Sequence, residues 1–195
     1  YQYALPILNE RAGTGNPFFS VLLSISNHPP YVIPPYFHPH SDVLEEQIVE
    51  YADWSIRQFM QAAEKQPWFD NTIFVFLGDH GKMVGTPECE MPQSYNHIPL
   101  MIYGKDIKPG VYDGFGGQVD VSPTLLGLLN ISYLQNNFGV NLLEEERPCM
   151  FFTADNLIGA RDSVNMFIYS PDSQQEFKYK LEEGKLHAAT GTDEE

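Results

Sequence analysis

The sequence predicts an α/β fold, a mainly parallel sheet flanked by helices with a small antiparallel hairpin near its C-terminal end, and three patterns carry that prediction. Short apolar runs rich in β-branched and aromatic residues alternate with one long segment of helical periodicity. Two of the runs stop abruptly in histidine-bearing polar clusters, as strands of an open sheet do where ligands bind beyond their carboxyl ends. Late in the chain, Asn165–Tyr169 and Phe177–Leu181 flank a Ser170-Pro171-Asp172-Ser173 turn, and Phe177, Tyr179 and Leu181 alternate with lysines. That alternation is the mark of an antiparallel hairpin with one wet face.

Each element has its own signal. Phe18–Ile25 is an apolar run of strand length that closes in Ser26-Asn27-His28, and Pro29-Pro30 follows. Tyr31 to His40, with Pro34, Pro35 and Pro39, is an extended connection, because proline removes backbone donors. Asp42 with Glu45 three residues on makes a capping-box start. From there Leu44, Ile48, Ala52, Ile56, Phe59, Met60 and Ala63 keep helical spacing as far as Gln66-Pro67. Thr72–Leu77 is the next strand, buried on both faces by its composition, and it ends in Gly78-Asp79-His80-Gly81. His97-Ile98-Pro99 opens a third strand, Leu100–Tyr103, and Phe151–Thr153 is another short one. Between them Ser122-Pro123-Thr124 starts a helix, with serine as cap and proline in the first turn. From Glu182 the chain turns charged and rich in Gly, Ala and Thr, which predicts a frayed end. Residues 1–155 thus form an α/β core portion and 156–195 a hairpin and tail of one domain.

Composition narrows the function. With 195 residues, 43% of them hydrophobic, the chain can bury one sizeable core. Its 26 acidic against 11 basic residues give a net charge of -15, and without a basic patch this opposes nucleic-acid phosphates. Cys89 and Cys149 are either two free thiols or one bridge, and neither lies in a zinc-knuckle pair. No apolar stretch approaches the roughly 20 residues that cross a bilayer. The chain begins at Tyr1 without Met and reads as a processed or excised part of something longer.

Asp79 and His80 are the foremost candidates for chemistry. A carboxylate oxygen beside an imidazole nitrogen suits Zn or Mn better than Ca or Mg. The same dipeptide also fits a capped loop with a satisfied histidine. On a continuing strand the two side chains would point to opposite faces, so joint action needs a bend, which Gly78 and Gly81 permit. His28 is held by a proline-stiffened loop, and His97 sits at the entrance of its own strand. His38 and His40 have the spacing of a metal pair but lie in the proline-rich connection and read as solvated, and His187 carries no argument. Thr14, between Gly13 and Gly15, has nothing basic beside it and reads as a turn residue. The Gly-x-Ser-x-Gly elbow, the P-loop and the Gly-x-Gly-x-x-Gly fingerprint are all absent.

Taken together, Pro17-Phe18-Phe19 through His28-Pro29-Pro30-Tyr31, Tyr51-Ala52-Asp53, Trp68-Phe69-Asp70-Asn71-Thr72, Gly78-Asp79-His80-Gly81, His97-Ile98-Pro99-Leu100 and Gln118-Val119-Asp120 through Pro123-Thr124-Leu125-Leu126 resemble the alkaline phosphatase and sulfatase superfamily. The likeness is greatest to its lipoteichoic acid synthase-like branch of phosphoglycerol and phosphoethanolamine transferases. It implies that Asp79 and His80 ligate a catalytic divalent metal, Mn or Zn, or Ca in a sulfatase. It further implies that His28 contacts the substrate's phosphate, with a less defined role for His97. The family's opening strand, acidic ligand and nucleophile have no counterpart here, and neither cysteine lies in a Cys-x-Pro-x-Arg pattern. The chain therefore resembles the C-terminal part of a catalytic domain, inactive alone, whose partners are the missing N-terminal half and an anionic phosphate- or sulfate-ester substrate. Such domains sit outside the cytoplasmic membrane, often tethered by upstream helices. Two other readings stay open: a sulfatase acting on sulfate esters, and an inactive binding module on the same fold.

Overall fold

The computed structural model describes residues 1–189, in two units: Tyr1–Val75 with Ile102–Ile107, and Phe76–Met101 with the chain from Lys108 onward. In the first unit α1 (Ala4–Gly13) packs on α2 (Leu44–Ala63), burying Leu8, Ile48 and Ala63. The α2 helix starts two residues after the expected Asp42. Val43 stands at its N-cap position, and the entry is pinned instead by Glu50, which accepts the N–H groups of His40 (2.7 Å) and Ser41 (3.0 Å). The bond from the His40 N–H, helped by that from Ser41, outweighs the opposing effect of burial and holds the Glu50 carboxyl below the usual range. A ring cluster of Tyr36, Phe37, Tyr51 and Trp54 seats the proline-rich connection on the same helix.

The expected strand at Phe18–Ile25 is not a ladder strand: the segment carries no strand assignment, and Phe19, Val21, Leu23 and Ile25 are 73–84% exposed. Strand-like composition becomes a strand only where another backbone pairs with it, and among the described residues none does.

Strand β1 (Phe74–Leu77) pairs with β2 (Leu100–Tyr103). The Gly78 N–H donates to the Pro99 carbonyl (3.4 Å), while the Phe74 ring meets that of Tyr103 (6.2 Å). One strand's end therefore lies beside the other's start, and the pair runs antiparallel. Between them lies the short helix α3 (Gln93–Asn96).

The second unit is built on a five-stranded sheet: β3 (Met150–Ala154), β4 (Leu157–Arg161), β5 (Asn165–Ser170), β6 (Gln175–Glu182) and β7 (Lys185–Ala188), in sequence order and antiparallel throughout. The α/β class stands, but the expectation of a mainly parallel sheet is corrected, since no parallel pairing occurs among the described strands. Tight turns explain the meander. Asp155 (φ 49°) with Asn156 (φ 63°), and Glu183 (φ 49°) with Gly184 (φ 79°), supply the paired left-handed conformations of two-residue hairpins. The expected hairpin is β5–β6, with Ile168 opposite Phe177 and Met166 opposite Tyr179. Its buried face packs with Cys89 and Met91 from the segment after β1. The chain from Glu182 is not frayed as far as Ala188, because β7 pairs with β6; residues 190–195 of the expected frayed tail lie outside the described residues.

Helix α4 (Gln118–Leu128) begins four residues before the expected Ser122, leaving Pro123 inside it. A proline there frees the carbonyl four residues back, and the backbone of Gly139 closes over that group. A Cβ at Gly139 would stand 2.0 Å from the Val119 oxygen.

A candidate metal centre at the end of the first strand

Strand β1 stops at Leu77 and the chain bends through Gly78, Asp79 and His80. The bend brings the two candidate side chains to one side, with His80 Nε2 3.9 Å from Asp79 Oδ2. Two donors bound at about 2.1 Å to one tetrahedral ion lie about 3.4 Å apart, so the pair stands about half an ångström wider than a shared cation would hold it and would close by that much on binding one. Asp79 Oδ1 accepts the His80 backbone N–H (2.9 Å), which orients the carboxylate and leaves Oδ2 outward. His80 Nδ1 lies 2.7 Å from the Gly81 carbonyl oxygen. A carbonyl only accepts, so Nδ1 carries the proton and Nε2 presents its lone pair, the tautomer a metal ligand needs. The ring is further held by stacking on Tyr95, with centroids 5.1 Å apart and planes at 26°. Both side chains are more than half exposed, so a cation here keeps access to an incoming ester. The two donors are of the kind a divalent metal takes, and they would make up part of a coordination shell.

Gly81 serves a purpose other than the expected one. Neither Gly78 nor Gly81 has a left-handed φ. Gly81 is required for close approach: its N–H donates to the Tyr95 carbonyl (2.8 Å), and a Cβ would stand 2.1 Å from the Ser94 oxygen. The α3 turn that supplies Ser94 and Tyr95 is fastened to the sheet by Arg161, whose Nη1 donates to Gln93 Oε1, and Met91 enters the core two residues before Gln93. In this way the β3–β7 sheet sets the position of the His80 ring.

Two features escaped the sequence reading. Gln118, the first residue of α4, donates from Nε2 to the carbonyls of Gly78 (3.1 Å) and Asp79 (2.8 Å). Asp120, fully buried, accepts N–H groups from Gly117 (2.9 Å) and Val140 (2.8 Å) and a fork of bonds from Arg147 at 2.5–2.9 Å. Burial alone would push the Asp120 carboxyl up, but the Arg147 guanidinium and the two N–H groups outweigh it and hold the carboxyl below its usual value. The Asp120-x-x-Pro123-Thr124 motif is visible in the sequence, whereas the arginine 27 residues away is not marked by any local pattern.

His97 closes α3, its N–H donating to the Gln93 carbonyl (2.8 Å), and its side chain is exposed. His28 belongs to the first unit and is exposed; its Nδ1 donates to the Pro29 carbonyl (2.8 Å), so its Nε2 is also free to accept. Among the described residues no third His, Cys, Asp or Glu joins Asp79 and His80 in a metal-holding group. His38 and His40 are exposed, as expected, with His40 bonded to Glu50. Cys89 and Cys149 are both free.

Comparison with known proteins agrees with this architecture. The family model described as Sulfatase matches residues 1–131. Lipoteichoic acid synthase 1 of Bacillus subtilis is 25% identical over 202 residues, covering 87% of this chain and 30% of that protein. The choline-sulfatase of Rhizobium meliloti is 29% identical, covering 55% of this chain and 22% of that protein. Among solved structures, an alkaline phosphatase superfamily protein from Vibrio parahaemolyticus superimposes with a TM-score of 0.81 at 27% identity, over 93% of this chain and 46% of that one. The chain thus spans less than a third of the length of these curated relatives. It belongs to the sulfatase family, in the branch that resembles the lipoteichoic acid synthases.

Proposed function

We propose that this chain carries half of the metal site of a phosphoryl-ester transferase or hydrolase of the cell envelope, of the phosphoglycerol or phosphoethanolamine transferase kind. The observation that supports this is the Asp79 and His80 pair, 3.9 Å apart with the imidazole tautomer set by the Gly81 carbonyl. One carboxylate oxygen and one imidazole nitrogen suit Mn or Zn, with Ca as the choice of a sulfatase. A cation held there supplies charge neutralisation at the ester oxygens. For a chain of net charge -15, that makes the metal a condition of binding an anionic substrate as well as of reacting it. His28, with a free Nε2, and His97 are assigned to the substrate's anionic group or its leaving oxygen. The nucleophile and the remaining ligands are assigned to protein outside these 195 residues, in an enzyme facing the outer side of the cytoplasmic membrane and tethered to it. No helix of the described residues is long and apolar enough to cross a membrane, so the tether too is assigned outside them. The likeness to a choline-sulfatase supports sulfate-ester hydrolysis as the second reading.

The test is made on the full-length protein. Asp79→Ala is expected to remove bound transition metal and turnover of bis(p-nitrophenyl) phosphate together. Unchanged metal content and turnover in that variant would overturn the assignment, and turnover of p-nitrophenyl sulfate in preference to the phosphate diester would favour the sulfatase.

A further inference from the structure

We propose that Gln118 is the positioning residue of this site: its amide clamps the Gly78 and Asp79 carbonyls and so sets Asp79 and His80 for a divalent cation, an inference that rests on the metal reading above. Both carbonyls meet the same nitrogen, Nε2, at 3.1 and 2.8 Å. Successive carbonyls of an extended strand point in opposite directions, so one donor reaches two of them only where the chain bends. That bend is the one that brings His80 Nε2 to 3.9 Å from Asp79 Oδ2. The amide is suited to this as few side chains are, with two hydrogens on one nitrogen at the end of a reach that asparagine lacks. A glutamate in its place would set lone pairs against two carbonyl oxygens.

The clamp works because its base is fixed. Gln118 is the first residue of α4, and the buried Asp120 ties that turn to Gly117, Val140 and Arg147. The strand end, by contrast, is exposed at Asp79 and His80, where water competes for the carbonyls; the stacking on Tyr95 and the Gly81–Tyr95 bond hold the far side of the bend, and Gln118 holds the side that carries Asp79. Gln118 thus transfers order from a buried network to two exposed ligands without touching the cation. Removing groups that orient metal ligands weakens metal binding about 10–100-fold.

The experiment titrates the metal-free full-length protein with Zn²⁺ against a chromophoric chelator, beside urea unfolding of the same samples. Gln118→Met, of similar length but without donors, is expected to lower Zn²⁺ affinity at least about tenfold with the unfolding midpoint unmoved, and Asp79→Ala is expected to lower it further. Wild-type affinity in Gln118→Met alongside lost affinity in Asp79→Ala overturns the positioning role and leaves the metal reading intact. Wild-type affinity in both variants overturns the metal reading itself. A drop in the unfolding midpoint large enough to account for the lost affinity also overturns the proposal, since Gln118 would then act only through stability.

Discussion

Arg147→Ala tests the network beneath the candidate site. The substitution removes three bonds to Asp120, at 2.8, 2.9 and 2.5 Å, and one to the Phe138 carbonyl at 2.6 Å. It leaves a fully buried carboxylate with only the Gly117 and Val140 N–H groups. Stripping one partner from a buried pair costs about 3–5 kcal/mol. The Arg147 side chain is 16% exposed, so water reaches the edge of the gap and the lower end, about 3 kcal/mol, applies. With a urea slope of about 2 kcal/mol/M, the unfolding midpoint falls by about 1.5 M. The pH dependence supplies a second check. In the native protein the Asp120 carboxyl is held low, so its contribution is present above the unfolded value of about 3.9 and is lost as pH falls through the folded one. Without Arg147 burial acts with less opposition and the folded carboxyl rises. The variant's deficit is then largest at neutral pH and narrows toward pH 4 and below. A second substitution, Asp120→Asn, in the Arg147→Ala background recovers part of the loss by removing the uncompensated charge. A deficit under about 1 kcal/mol, or one that does not change between pH 7 and pH 4, would refute this reasoning.

Gly81→Ala forces a Cβ to within 2.1 Å of the Ser94 carbonyl oxygen. It is expected to displace the strand-end loop and weaken Zn²⁺ binding by the full-length protein about 10–100-fold; chelator competition measures this, and unchanged affinity would show that the close approach is dispensable. The two thiols are expected to differ in reactivity. Cys89 is buried, donates to the Met91 carbonyl (3.1 Å), and is pushed up chiefly by burial, whereas Cys149 is part-exposed. In native protein a disulfide reagent should modify Cys149 first and Cys89 only after urea unfolding, and simultaneous rapid reaction of both would contradict the packing of Cys89 on the sheet.

Much of the candidate site was legible locally. An apolar run that ends in Gly78-Asp79-His80-Gly81 marks a strand end that carries a carboxylate beside an imidazole, because composition and period act over a few residues. The same holds for the interior of α2, for β2, and for the β5–β6 hairpin, whose alternation survives as the faces of the folded sheet. The elements that escaped notice depend on neighbours. Leu157–Arg161 has no alternating pattern, and it is a strand because β3 and β5 flank it on both sides. Lys185–Ala188 is a strand because the Glu183-Gly184 turn folds it back on β6.

By itself the sequence determined which residues could do chemistry, the helical and strand periods around them, and an acidity that requires positive charge at any anion site. Tertiary structure alone decided the direction of pairing, the missing ladder at Phe18–Ile25, and the start of α4 at Gln118. Each of these depends on groups brought together from far along the chain: Gln118 reaches Asp79 across 39 residues and Arg147 reaches Asp120 across 27. Hydrogen bonds and burial of that kind act through space, so no local period in the sequence records them.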